Sequence, residues 1–130
     1  MSTTTISNVY GYKIDDEFLF FSSSRLVLNV TRVSEESNKI SFLKFRKTMS
    51  LLFTYLLENA NDRIISDDEL LMEVWDRRGL KGSNHRLWEV MKDLKMKLKE
   101  LGLDDSFILR VNGNGYLLKD GMVSQLHCIA

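Results

Sequence analysis

The stretch from Ser83 to Leu101, SNHRLWEVMKDLKMKLKEL, constrains the fold of this chain more than any other. Leu87, Met91, Leu94, Leu98 and Leu101 recur at steps of four, three, four and three. In a helix they form one apolar stripe about five turns long. A stripe of that length must be buried, so the rest of the chain has to supply the surface that covers it. At about 100° per residue, Arg86, Glu89, Asp93, Met96 and Lys97 fall on the opposite arc, with His85 and Lys92 at its margin. Ser83 or Asn84 can satisfy the first free amides, and Gly102 can end the helix. Trp88, about 60° from the stripe, is expected at the edge of the core. Lys95 lies close enough to the stripe to lay its stem along it.

Upstream of this helix the pattern is strand-like. VYGYKI, EFLFF and RLVLNV are rich in aromatic and β-branched residues and are separated by Asp15 to Glu17 and Ser22 to Ser24, which predicts an antiparallel meander. A polar loop at Thr31 to Lys39 and a fourth strand at ISFL complete a four-stranded sheet over residues 9–43. From 44 to 59 the apolar residues Phe45, Met49, Leu52, Phe53, Leu56 and Leu57 switch to helical spacing. Ser66 with Glu69 three residues later has the form of a capping box and opens a second helix over 66–76, whose buried face is Leu70, Leu71, Val74 and Trp75. Asp76 to Gly82 is a loop. After the long helix at 83–101, FILRV and YLLKD flank Asn112-Gly113-Asn114-Gly115, a strong signal for a hairpin over 107–120. Residues 1–8 are expected to be a flexible start. The 121–130 tail is uninformative: an edge strand or a loose end.

Length and composition set outer limits. The chain has 130 residues, 44% hydrophobic and 28% charged, which suits one globular domain. Its formal net charge is zero, but the charge is unevenly placed. Residues 1–76 hold eight Lys and Arg against twelve Asp and Glu, whereas residues 77–119 hold ten against five. The basic excess gathers around the long helix, as an anion-binding face requires. The single cysteine, Cys128, excludes an intrachain disulfide and fits a reducing compartment. With no signal peptide and no apolar run near the ~20 residues that span a bilayer, the expected location is cytoplasmic. His85, His127 and Cys128 do not make a metal site, and no nucleophile elbow, phosphate loop or zinc-protease pattern occurs. No cofactor and no enzymatic activity are expected.

Four strands, three helices and a closing hairpin make an α+β chain with the layout of a winged helix-turn-helix, in which the second helix of the pair enters the major groove and the hairpin lies alongside. TMSLLFTYLLENA, SDDELLMEVWDRRG, LKMKLKELG and ILRVNGNGYLL, in that order, resemble the OmpR/PhoB-type winged-helix domain, and within it the CadC/ToxR-like branch. The resemblance covers Val9 to Asp120. It implies a transcription regulator that binds double-stranded DNA without catalysis. Position by position, it implies phosphate contacts at Trp75, His85, Arg86, Val90, Lys92 and Lys95, a base-facing role for Asp93, and wing contacts at Asn112 and Tyr116, with Asn114 in the same turn. Glu89, Met96 and Lys97 complete the expected DNA face. The loop Asp76 to Gly82 matches a segment through which relatives touch RNA polymerase, and two copies per DNA site are expected. With eight residues ahead of the sheet, no preceding phosphoacceptor domain is expected. A second reading is a winged-helix module that binds another protein. Zero net charge, Glu89, Asp93 and a wing without arginine favour it.

Overall fold

The computed structural model describes residues 7–33 and 40–129; most of the expected flexible start and of the polar loop before the fourth strand lie outside them. The meander forms as β1 (Ser7–Ile14), β2 (Phe18–Phe21), β3 (Leu26–Val33) and β4 (Ile40–Lys44). All neighbours are antiparallel, and Leu19 of β2, Leu28 of β3 and Phe42 of β4 lie abreast. Alternation decides which face is buried: Tyr12, Ile14, Phe18, Phe20 and Val27 point inward and are at most 1% exposed. The tail supplies a fifth strand, β8 (Val123–Ile129), which pairs along β1 and gives the order β4-β3-β2-β1-β8. Docking the tail there satisfies the ladder groups that β1 would otherwise expose as an edge.

Helix α1 (Lys47–Asn59) crosses the inner face. It starts three residues later than the apolar spacing suggests, because β4 keeps Lys44 paired with Leu26 and Arg46 holds extended dihedrals. Phe45 is therefore in the connection, yet it is fully buried against Phe53, which also meets Phe20 edge-on at 4.9 Å. Two polar ties bind the layers. The Tyr12 hydroxyl donates to Glu58 at 2.8 Å, and burial followed by that hydrogen bond pushes the phenol pKa up. Buried Asn29 donates to the Leu101 carbonyl at 2.6 Å, joining the sheet to the far end of the long helix.

The middle helix is less regular than the capping-box signal suggests. After β5 (Ile65–Ser66), α2 (Asp67–Leu70) widens into a π-type turn over Leu71–Trp75 and tightens into a 3-10 turn over Asp76–Arg78. Ser66 Oγ does accept from the Glu69 amide at 3.1 Å. The Glu69 carboxylate is held by both Arg63 nitrogens, at 3.0 and 2.8 Å, and by the Tyr55 hydroxyl. The Arg63 hydrogen bonds, then that of Tyr55, lower its pKa. Helix α3 (Asn84–Glu100) follows, then a 3-10 turn at Asp105–Phe107 and the hairpin β6 (Ile108–Val111) and β7 (Gly115–Leu118). The two-residue β5 joins β7 through Ile65–Tyr116 and Ser66–Gly115, so the wing is the outer part of a three-stranded sheet. Leu87, Met91, Leu94, Leu98 and Leu101 are all buried, which is the core that the α3 spacing requires. Among the described residues, no helix is long and apolar enough to cross a membrane.

Candidate nucleic-acid interface

The N-terminus of α3 is capped by Ser83, whose Oγ accepts from the Arg86 amide at 3.1 Å. With the leucine stripe turned inward, His85, Arg86, Trp88, Glu89, Lys92, Asp93 and Met96 are exposed, while Val90, Lys95 and Lys97 are half-buried. These side chains divide into an apex and two flanks. His85, Glu89 and Met96 lie farthest from the core at about 100° per residue, and His85 Nε2 sits 3.0 Å from Glu89 Oε1. One flank faces the wing and the other faces the start of α1.

On the wing side, Trp88, Met91, Lys92, Lys95, Arg110 and Tyr116 line a cleft of ≈ 290 Å³. Trp88 corrects the expectation of a core-edge side chain, for it is 54% exposed. An open cleft lies between it and Arg110 and Tyr116 of the wing, so no core side chain covers the indole. The ring instead stacks on His85 at 6.2 Å and has Lys92 Nζ 4.9 Å from its centroid. Three cations, Lys92, Lys95 and Arg110, thus share a cleft whose apolar walls are Trp88, Met91 and Tyr116.

On the α1 side, Arg46, Lys47 and Thr48 share a recess of ≈ 220 Å³ with Arg86, Val90 and Asp93. A neighbouring recess of ≈ 200 Å³ is lined by Arg46, Met49, Asp93, Met96, Lys97 and Glu100. Asp93, expected to face bases, is exposed and borders both recesses.

The wing turn adopts the left-handed dihedrals that Asn-Gly favours, with φ of 52° at Asn112 and 71° at Gly113. Asn112 and Asn114 are exposed at its tip. Tyr116 is 5% exposed, and burial pushes its phenol pKa up. Trp75 is 1% exposed, so its ring belongs to the core beneath the loop. Gly82 packs there so closely that an added Cβ would lie 2.9 Å from the Trp75 ring. The loop itself presents Arg77, Arg78, Leu80 and Lys81 to solvent.

The expected wing without arginine is also corrected. Its tip has none, but Arg110 on β6 stands opposite Tyr116, with its Cζ 4.6 Å from the ring centroid. The guanidinium pairs with Asp67, and that hydrogen bond raises its pKa. The signal was present in the hairpin, since counting outward from a three-residue loop Asn112–Asn114 sets residue 110 against residue 116. Among the described residues, no group of three or more His, Cys, Asp or Glu is arranged to hold a metal ion.

Residues 42–118 match the family model described as transcriptional regulatory protein, C terminal. Among solved structures, the DNA-binding domain of E. coli CadC superposes with a TM-score of 0.67 at 21% identity, over 96% of this chain and 100% of that one. The C-terminal domain of the nisin resistance regulator NsrR, a lantibiotic response regulator, gives a TM-score of 0.61 at 23% identity, over 80% of this chain and 93% of that one. At these identities the likeness is one of fold. No curated protein matches the sequence.

Proposed function

Since the chain belongs to the family of C-terminal domains of transcriptional regulatory proteins, of the OmpR/PhoB type, and is a DNA-binding transcription regulator, we propose that it grips duplex DNA with α3 in the major groove and the wing beside it. The observation that carries this reading is the arrangement of charge on α3. The base-facing apex bears Glu89 and the uncharged Met96, while cations stand on both flanks: Lys92 and Lys95 with Arg110, and Arg86 and Lys97 with Arg46 and Lys47. A helix lying in a groove ~12 Å wide presents its apex to base edges and its flanks to the two phosphate ridges. Carboxylates are useful at the apex, where they accept from cytosine N4, and cations are useful on the flanks.

In this reading Arg86, Lys92, Lys95 and Lys97 hold phosphates. Glu89, with Asp93 and Met96 at its sides, discriminates bases. His85 orients Glu89 through their close contact, and Asn112 and Asn114 approach the adjoining minor groove. Tyr116 and Trp75 act from beneath the surface, the first as a wall of the cleft and the second by shaping the loop. The exposed Arg77, Arg78 and Lys81 of that loop are available to RNA polymerase, and two copies bind per site. The setting is the cytoplasm.

The test is fluorescence anisotropy of the chain with a randomised duplex pool at about 50 and 200 mM salt, a range over which a many-phosphate contact loses orders of magnitude in affinity. Micromolar or tighter binding that falls steeply with salt supports the reading; no binding at the lower salt overturns it. A second reading, a module that binds protein through α3, is favoured by the exposure of Trp88 and Met96 beside Glu89. Arg86→Ala separates the two. It weakens duplex binding several-fold under the first reading and leaves it untouched under the second.

A further inference from the structure

Arg110 is engaged more heavily than any other cation on the DNA-binding face. Its Nη1 donates to Asp67 Oδ1 at 2.6 Å and its Nη2 to Asp67 Oδ2 at 2.8 Å, a bidentate pair. Nη2 also donates to the Gly113 carbonyl, and the guanidinium lies over the Tyr116 ring. From the other side, the Asp67 amide donates to the Asn114 carbonyl at 2.9 Å. One arginine and one aspartate therefore tie β6 and the consecutive Gly113 and Asn114 carbonyls of the wing turn to the first residue of α2. That tie acts at the outer end of the hairpin, whose inner end is held separately by the two residues of β5 pairing, by the Leu118 amide on the Ala60 carbonyl at 2.8 Å and by buried Ile108 and Leu118.

We propose that Arg110 is a positioning residue which, clamped by Asp67, fixes the wing turn at a set distance from α3 and so sets the spacing between the major-groove and minor-groove contacts. The inference rests on the DNA-binding reading of this face. Arg110 borders the cleft between α3 and the wing, where a phosphate ridge would run, so the competing view is that it is simply one more phosphate ligand. The geometry opposes that view. The planar fork is already spent on a carboxylate and a carbonyl, and Asp67 neutralises the charge a phosphate would seek.

The two views predict opposite signs for Asp67→Asn, which keeps the shape of the side chain and removes a negative charge close to the DNA. If Arg110 acts through charge, releasing it strengthens duplex binding and steepens the salt dependence by about one counterion. If Arg110 positions the wing, Asp67→Asn weakens binding about two- to fivefold, the range of a part-exposed ion pair, and leaves the salt slope unchanged. Arg110→Lys keeps the charge but loses the fork, and gives the same result.

The experiment is anisotropy of the full chain, wild type and both variants, with a labelled randomised duplex across a salt series. It is paired with amide hydrogen exchange without DNA. The clamp predicts faster exchange at residues 111–116 in both variants, with α3 amides and the thermal midpoint close to wild type. Tighter binding by Asp67→Asn, or wing amides that exchange as in wild type, would overturn the proposal. Should the wild type bind no duplex, the DNA reading fails on its own, while the exchange data still decide whether the pair holds the wing.

Discussion

Replacing Lys92 and Lys95 together by Gln tests the division of α3 into apex and flanks. Both lysines line the wing-side cleft with Arg110, and neither is in an ion pair in the free protein among those the structure shows. Each phosphate contact contributes about 0.9 to the slope of log affinity against log salt. From 50 to 200 mM salt is a fourfold change, so one contact accounts for a ~3.5-fold loss of affinity and two for ~12-fold. The double variant should therefore bind more weakly at low salt and lose about 12-fold less affinity than wild type over that interval. Lys13→Gln is the control, since Lys13 lies on β1, pairs with Asp16 at 2.7 Å and lines neither the cleft nor the recesses beside α3. Anisotropy titrations at four or more salt concentrations give the slopes directly. A slope that falls by less than about half a unit in the double variant, or by as much in the control, would refute the placement of a phosphate ridge along the wing flank. The single variants then apportion the effect: Lys92, which leaves the Trp88 ring to reach a phosphate, against Lys95, which is half-buried and reaches along its stem.

Other perturbations address the scaffold. Phe53→Ala removes the ring on which Phe20 and Phe45 meet and should cost about 3–5 kcal/mol in urea unfolding, a loss the outer-face change Phe42→Ala should not approach. Gly82→Ala sets a Cβ against Trp75 and should cost about 1–3 kcal/mol, with the loss visible as a lower thermal midpoint. Because Arg63 and then Tyr55 depress the Glu69 pKa, the contribution of Glu69 is complete above its unfolded value of about 4.3 and disappears as pH falls through the lower folded value. Glu69→Gln should therefore lower the urea midpoint at neutral pH and converge with wild type in acid; a difference that persists in acid would refute the assignment.

Where neighbours in sequence decide a structure, the chain is legible. The α3 stripe, the Ser83 cap and the left-handed turn at Asn112-Gly113 all follow from residues within a few positions of each other, and all are present. What eluded the pattern depends on distant partners. VSQLHCI has no strict alternation to mark it as a strand, and it becomes one because β1 offers an open edge. A helical wheel gives Trp88 an angle but cannot show that an open cleft lies beside it. The Glu69 signature predicts its backbone partner, yet its carboxylate turns to Arg63 and to Tyr55, on α1. Arg110 and Asp67 are 43 residues apart, and only the closing of the three-stranded sheet brings them together. The irregularity of the middle helix over Leu71–Trp75 has no local signal of its own, since LMEVW suits an ordinary helix equally well.

Zero net charge argues less against DNA binding than it first suggests, because the interaction is decided within a Debye length of about 8 Å at physiological salt. Glu58, Asp62 and the acidic β1–β2 turn belong to other parts of the surface, whereas the phosphate ridges would meet Arg86, Lys92, Lys95 and Lys97 first. The apex adds a second effect. With α3 docked as proposed, Glu89 would repel any duplex on which it finds no donor, lowering affinity for arbitrary sequence, and would recover that loss only where a cytosine or adenine amino group meets it. Non-specific binding, which rests on phosphates alone, would then be weakened while the matched site is spared, so the ratio between them would widen. That ratio, multiplied over the competing sites of a genome, determines whether a regulator finds its operator. On the proposed docking, a carboxylate at the centre of the face would in this sense be a device for discrimination, and it would account for a helix whose lysines and arginines stand only at its sides.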